Sequence, residues 1–231
     1  MGRGHGATRG SGPGGGGFAE ALPGLPWTEG ISMKGFDFAR EAPQGVMGEL
    51  SQQALDSTLA SIDANIKDPQ MRAEMKAMVT KMSKEMGGLP TGKEGYTIKI
   101  DSQKEIQKIG GSGYEFGHTD GSHIGLNRRY FKSYKEAESV MKITVANGNS
   151  LPTKNPVMNT LAHEIGHGYY NRLSTQGKQR VEQVLSHFHV NNPKGWRAYS
   201  KKSASEFYAD AVAKSVLGTP DNFTRILGSI R

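Results

Sequence analysis

At 231 residues the chain is long enough for one ordinary domain with appendages, and its formal net charge is +7. It has no cysteine, which excludes disulfides and thiolate ligands, so a metal would be held mainly by His, Asp or Glu. No apolar run has the length of a membrane span, and the N-terminus lacks the apolar segment of a secretory signal peptide. We expect synthesis in a cytoplasm, with any delivery into a host cell or a virion independent of a cleaved signal.

The first 45 residues are predicted to be a disordered Gly-rich tail followed by an extended arm. Nine of the first seventeen residues are glycine, and such a segment buries too little apolar area to offset its backbone entropy. The rest of the segment carries proline and scattered aromatic residues, which could dock on this protein or on a partner.

Residues 46–90 are predicted to form a helical hairpin. The first helix has an apolar stripe at helical spacing: Val46, Leu50, Leu55, Leu59, Ile62 and Ile66. Asp68-Pro69 then supplies an N-cap and a proline at the first helical position, and the second helix ends at Gly87-Gly88. Its methionines, from Met71 to Met86, favour an ordinary core, the alternative being an adaptable surface for a partner helix.

Residues 91–231 read as an α+β domain. Residues 96–100 and 123–127 are predicted strands, and the glycine-containing stretch 109–122 between them is predicted to be loop. No helix follows those glycines, which excludes a phosphate-binding loop. Helices are predicted from Ser133 to about Val145, from Asn155-Pro156 onward, over 175–190, over 203–217, and from Thr219-Pro220.

The stretch LAHEIGHGYY, residues 161–170, carries the clearest chemical pattern. His163 and His167 are four residues apart, so both imidazoles project from one face of a helix and can reach one metal ion. Glu164 is turned about 100° from His163 and can take a proton from a water at that metal. Gly166 and Gly168 are poor helix formers, which indicates that something approaches this helix closely.

Two histidines need a third ligand. An HExxH match arises by chance in about one chain in a hundred of this length. The alternative to a metal site is a helix whose two histidines have ordinary hydrogen-bond partners. GYYNRL after the second His excludes a third His in register. In SASEFYADAVAK, Glu206 can ligate the metal, while Asp210 on the same helical face can accept a ring N–H of a ligating His. The competing interpretation makes Glu206 the capping-box partner of Ser203.

HExxH with a downstream E-x-x-x-D is the pattern of gluzincin metallopeptidases, and AYSKKSASEFYADAVAK resembles one helix of the anthrax lethal-factor type of catalytic domain and its phage and bacterial toxin relatives. In that type a tyrosine seven residues before the ligand Glu stabilises the oxyanion, and Tyr199 stands seven before Glu206. The alternative for Tyr199 is a half-buried packing residue.

The resemblance implies a zincin-like fold for residues 91–231 and zinc-dependent peptide hydrolysis, by a toxin, an effector or a phage-associated protease. Zn²⁺ would be held by His163, His167 and Glu206, with Glu164 as general base and then acid. It also implies an edge strand, matched to HIGLNRRYF (residues 123–131), along which a peptide substrate lies extended. The alternatives left open are an inactive zincin-fold binding module and a basic protein associated with nucleic acid.

The charge is concentrated between residues 170 and 205. Glu182 is the single acid there, against seven basic residues: Arg172, Lys178, Arg180, Lys194, Arg197, Lys201 and Lys202. The simpler interpretation is a basic face exposed to solvent. The alternative is a basic surface that attracts an acidic partner. No nucleic-acid-binding motif accompanies the stretch.

Overall fold

The computed structural model describes residues 46–108, 110–191 and 193–230, and for residues 46–50 it describes the backbone alone. The tail and arm predicted for residues 1–45 lie outside the described residues. The described chain is α+β, as expected from the sequence. Its helices are α1 (Val46–Asn65), α2 (Pro69–Met86), α3 (Gln103–Lys108), α4 (Tyr134–Ala146), α5 (Asn159–Arg172), α6 (Thr175–Asn191), α7 (Ala204–Val216) and α8 (Asn222–Gly228). Its strands are β1 (Thr97–Asp101), β2 (Gly117–Asp120) and β3 (His123–Asn127). None of the helices in the described chain is both long and apolar enough to cross a membrane.

Helices α1 and α2 occupy the segment predicted to be a helical hairpin, and α1 is bonded directly to the chain at the start of the sheet. The Asp68 side chain accepts from the backbone N–H of Met71 and caps α2, and Gly87 ends that helix in the left-handed region at φ 73°. The α2 methionines Met71, Met75, Met78 and Met82 are buried, which confirms that they form core. On α1, Thr58 Oγ1 and Ser61 Oγ accept from the backbone N–H groups of Tyr96 and Ile98, at 2.8 and 2.9 Å.

The sheet has the order β1-β3-β2, with β1 parallel and β2 antiparallel to β3. This makes β3 the central strand, so the predicted edge strand at 123–131 is wrong: residues 123–127 are paired on both sides and residues 128–130 form a turn. Three successive residues of β3, from Ile124 to Leu126, are buried, which is typical of a strand covered on both faces.

The edge beside the candidate site belongs to β2, in a segment predicted to be loop. Its sequence GHTD has no apolar alternation, so the strand forms because it pairs with β3. Asp120 and His123 are register partners, and the two-residue connection between them begins at Gly121, whose φ of 57° suits the first position of a tight hairpin turn.

Two glycines of α5 are sites of close packing, as expected. A Cβ on Gly166 would stand 2.8 Å from the Cα of Ala209 on α7, and a Cβ on Gly168 would stand 2.8 Å from Pro90 Cγ. The neighbours are therefore another helix and the loop after α2. This close contact places the His163 face of α5 against the Glu206 face of α7.

Helix α7 is anchored on its other side by an aromatic cluster. Phe188 of α6 packs against Phe207 of α7 with ring centroids 4.6 Å apart, and against Trp196 and Phe223 at 5.0 and 5.2 Å. The Trp196 indole N–H donates to Asp221 at 2.7 Å. These contacts fix both α7 and the segment just before it, which together supply half of the candidate site.

Candidate metal centre

The two histidines and Glu206 converge on one point between α5 and α7. His163 Nε2 lies 3.0 Å from His167 Nε2 and 3.1 Å from Glu206 Oε2, and His167 Nε2 lies 3.8 Å from Glu206 Oε1. Two ligand atoms each about 2.0–2.2 Å from a tetrahedral zinc ion would be about 3.3–3.6 Å apart. The three side chains thus have the spacing of ligands around one ion.

The Nδ1 atoms of the two histidines have partners of their own, which orient the imidazole rings. His163 Nδ1 lies 2.7 Å from Asp210 Oδ1, and a carboxylate can only accept, so this nitrogen carries a proton. His167 Nδ1 lies 2.8 Å from the hydroxyl of Ser205. With both Nδ1 atoms engaged in this way, the two Nε2 atoms are free to offer lone pairs to the same point.

The geometry at Glu206 favours ligation over the capping-box role. Ser203 caps α7 by accepting from the Glu206 backbone N–H, at 3.2 Å, while the carboxylate turns toward the histidines. Among the described residues, Glu206 Oε2 is buried without a hydrogen-bond partner of good geometry. Its nearest charged neighbour is the His163 ring at 3.1 Å, and a cation bound between them would compensate the carboxylate.

The charges of the site favour a cation as well. Four carboxylates (Glu115, Glu164, Glu206 and Asp210) line the cavity with one guanidinium, that of Arg197, so a dication would offset most of their excess negative charge. These residues fit Zn²⁺, because imidazole nitrogen and carboxylate oxygen without thiolate form a common zinc donor set.

Without metal, the same carboxylates hold a proton on one imidazole. Burial alone would lower the pKa of His163, but the Asp210 carboxylate raises it to about 9. Burial, and then the charge on His163, lower the pKa of His167. Burial opposes ionisation of Asp210, yet His163 and Arg197 hold the pKa of its carboxyl well below its usual range. Since a metal needs neutral imidazoles, its binding at pH 7 displaces the proton of His163.

Glu164 is held beside this point by the edge strand. Thr119 Oγ1 on β2 donates to Glu164 Oε2 at 2.6 Å, which leaves Oε1 as the other oxygen of the carboxylate. A Cβ on Gly117 would stand 3.2 Å from Oε1, so glycine at this position leaves room next to that oxygen. The sequence pattern located Glu164 and missed Thr119, because the hydroxyl is 45 residues away in a strand that has no apolar signature.

Tyr199 lines the same cavity from a short 3-10 turn, Ala198–Lys201. The residue is 44% exposed, so about half of its surface is buried, as the packing alternative also expects. Lys202 donates to the phenol oxygen at 3.0 Å and also lies over the ring, 4.7 Å from its centroid. The ring is therefore held at the rim of the cavity.

Arg197 belongs to the site, whereas the sequence placed it in a solvated basic stretch. Its Nε and Nη2 donate to the two oxygens of Asp210, each at 2.7 Å, and its side chain is only 16% exposed. Three more of the seven basic residues are also engaged within the fold: Arg172, Lys178 and Lys202 donate to the Thr91 carbonyl, the Asn171 carbonyl and the Tyr199 hydroxyl. The stretch thus offers less free charge to an acidic partner than its composition suggests.

The cavity in front of the three ligands has a volume of about 820 Å³. Residues 114–119 form one wall and residues 148–151 another, with the ligands and Tyr199 completing the lining. This volume lies within the usual range for pockets that bind small molecules.

Comparison of the chain with protein-family models, with curated proteins and with solved structures finds no match. The geometry alone defines the site: His163, His167 and Glu206 form a cluster that could hold one metal ion, and the Glu164 carboxylate lies in the same cavity.

The assignment of Glu206 predicts a loss of metal affinity in Glu206→Ala. Removing one of three protein ligands should weaken zinc binding by well over the roughly 10–100-fold that losing a supporting hydrogen-bond partner costs. The measurement is a competition titration of purified protein with a chromophoric chelator. Glu182→Ala, which removes an exposed carboxylate from α6, is the matched control and should bind as wild type does. Equal affinities in the two variants would exclude Glu206 as a ligand.

Proposed function

We propose that the protein is a zinc-dependent endopeptidase of the gluzincin type, with a zincin-like fold over residues 91–231. The observation that carries the proposal is the convergence of His163, His167 and the mostly buried Glu206 carboxylate on one point. Beside that point stands Glu164, the carboxylate a hydrolase needs and a metal-storage or structural site does not.

The bound metal would supply Lewis-acid chemistry, lowering the pKa of a coordinated water to about 7 and polarising the scissile carbonyl. Glu164 takes the proton from the attacking water at Oε1, since Oε2 is engaged by Thr119. The same carboxylic acid then delivers the proton to the leaving amine. Asp210 holds His163 in the tautomer that presents Nε2.

The negative charge that develops on the carbonyl oxygen needs a donor, and the Tyr199 phenol at the cavity rim is placed to supply it. Its place in the cavity lining favours this role, because a peptide bound in the cavity can reach the phenol without movement of the ring.

A peptide substrate would pair with β2 instead of β3. The outer edge of β2 carries no strand in the described part of the chain, and β2 also holds Thr119 against the catalytic carboxylate. An extended peptide added to this edge would bind through its main chain and pass in front of Glu164.

Removal of the metal is expected to abolish hydrolysis of an unstructured peptide library, and about one equivalent of zinc per chain should restore it, as for a single mononuclear site. New N-termini would be mapped by mass spectrometry for zinc-free and zinc-restored protein. Zinc binding at one equivalent without any new N-terminus would instead favour the inactive binding module. Full hydrolysis by zinc-free protein would refute the mechanism.

A further inference from the structure

Arg197 contacts both the candidate metal cluster and the tyrosine at the cavity rim. Its guanidinium makes a two-point bond to Asp210, while Nη2 lies 3.0 Å from His163 Nδ1 and 4.0 Å from Glu206 Oε2. Its Cζ also lies 5.1 Å from the centroid of the Tyr199 ring. Arg197 thus contacts Asp210, which orients the proposed ligand His163, and also Tyr199, the proposed oxyanion donor.

The bond to Asp210 restricts how that carboxylate can turn. A carboxylate bonded only to His163 could rotate about its last torsion, and the imidazole would rotate with it. Two parallel N–H donors at 2.7 Å fix the carboxylate plane, and Ser200 Oγ donates to Oδ2 at 2.6 Å. A lysine could supply the charge but not this planar fork.

Contact with the aromatic ring extends the restraint to the cavity rim. Tyr199 lies against two cations, Arg197 and Lys202, at 5.1 and 4.7 Å from its centroid. Of the two, Arg197 is the mostly buried one, and it is bonded to the only 1% exposed Asp210 side chain. The ring is therefore anchored to the metal centre through a single guanidinium.

We propose that Arg197 is a positioning residue whose guanidinium fixes the Asp210–His163 pair on one side and the Tyr199 ring on the other. The metal ligand and the phenol then keep a constant separation. The part that concerns Tyr199 rests on the proposed peptidase function, whereas the part that concerns zinc affinity does not.

The test is Arg197→Lys, with Arg180→Lys on α6, outside the cavity lining, as the matched control. Zinc affinity should fall about 10–100-fold in Arg197→Lys and stay unchanged in the control. Thermal unfolding of the zinc-free proteins shows whether both are folded. Zinc affinity equal to wild type in Arg197→Lys would mean that charge alone suffices, and would overturn the proposal.

Double variants distinguish a positioning role of Arg197 from a general loss of stability. The losses of zinc affinity in Arg197→Lys and Asp210→Asn should be strongly non-additive in the double variant, because both act through one carboxylate. The losses of kcat in Arg197→Lys and Tyr199→Phe should be non-additive as well, with little change in KM. Additive losses in both pairs would refute the proposal.

A measurement on the wild-type protein covers the case in which Arg197→Lys does not fold. The Arg197 Nε–H should give a resolved NMR signal that exchanges slowly with water, with and without zinc, because it is bonded to a buried carboxylate. A rapidly exchanging signal would contradict the fixed fork. If wild type binds zinc but cleaves nothing, the peptidase function fails while the affinity and exchange results still decide the role of Arg197 at the metal.

Discussion

Glu164→Gln is expected to lower kcat by about 10²–10⁴-fold, the range that a general base or acid contributes, while zinc stays bound. The substitution keeps the shape of the side chain, so the amide oxygen can still accept from Thr119. What is lost is a basic oxygen that takes a proton from water and returns it to the leaving amine. The proposed ligands, His163, His167 and Glu206, are unchanged.

Initial rates on a peptide identified with the wild-type enzyme, together with zinc content per chain, check this prediction. Glu182→Gln makes the same chemical change on the exposed face of α6 and should keep both the rate and the metal. Wild-type kcat in Glu164→Gln would mean that another group is the base. Loss of zinc from the variant would mean that the carboxylate contributes to metal binding, and the two roles would have to be reassigned.

The parts of the site set by local spacing were predictable from the sequence. The i,i+4 spacing places His163 and His167 on one face of α5, and Glu206 and Asp210 on one face of α7, whatever the rest of the chain does. Helix starts were predictable for the same reason, since Asp68, Ser133 and Ser203 each accept from a backbone N–H three residues ahead. The helix predicted from Asn155-Pro156 onward begins with a 3-10 turn, Pro156–Met158, that precedes α5. The Asn155 side chain does not cap this turn and donates to Glu74 at 3.0 Å.

The parts of the site made by long-range contacts were not predictable. Thr119 reaches Glu164 from 45 residues away, and Arg197 was indistinguishable in composition from the exposed lysines around it. Strand β2 exists only through its partner, because a polar tetrapeptide has no pattern of its own. The edge was misplaced because the resemblance matched residues 123–131 to a zincin edge strand, while β2 was predicted to be loop. The consecutive nonpolar residues Ile124, Gly125 and Leu126 were the signal in the sequence for a strand covered on both faces.

Gly166→Ala is expected to destabilise the protein and weaken zinc binding together. The added Cβ would stand 2.8 Å from Ala209 Cα and 2.9 Å from Ala209 O, and backbone atoms cannot rotate away as a flexible side chain can. Overpacking of this kind costs about 1–3 kcal/mol, which in a chain of this size lowers Tm by roughly 2–4 °C for each kcal/mol. Relief of the clash moves α7 away from α5.

That movement separates the two halves of the metal centre, because α5 carries the histidines and α7 carries Glu206 and Asp210. Zinc affinity should therefore fall in a variant whose ligands are all intact. Thermal unfolding of zinc-free protein and a chelator competition give the two quantities separately. Gly92→Ala is the control, since a Cβ there meets no atom of the described residues within 4 Å and its φ is not positive. A lower Tm with unchanged zinc affinity would mean that the ligand spacing does not depend on this helix contact, whereas an unchanged Tm would show that α5 and α7 do not approach as closely as described.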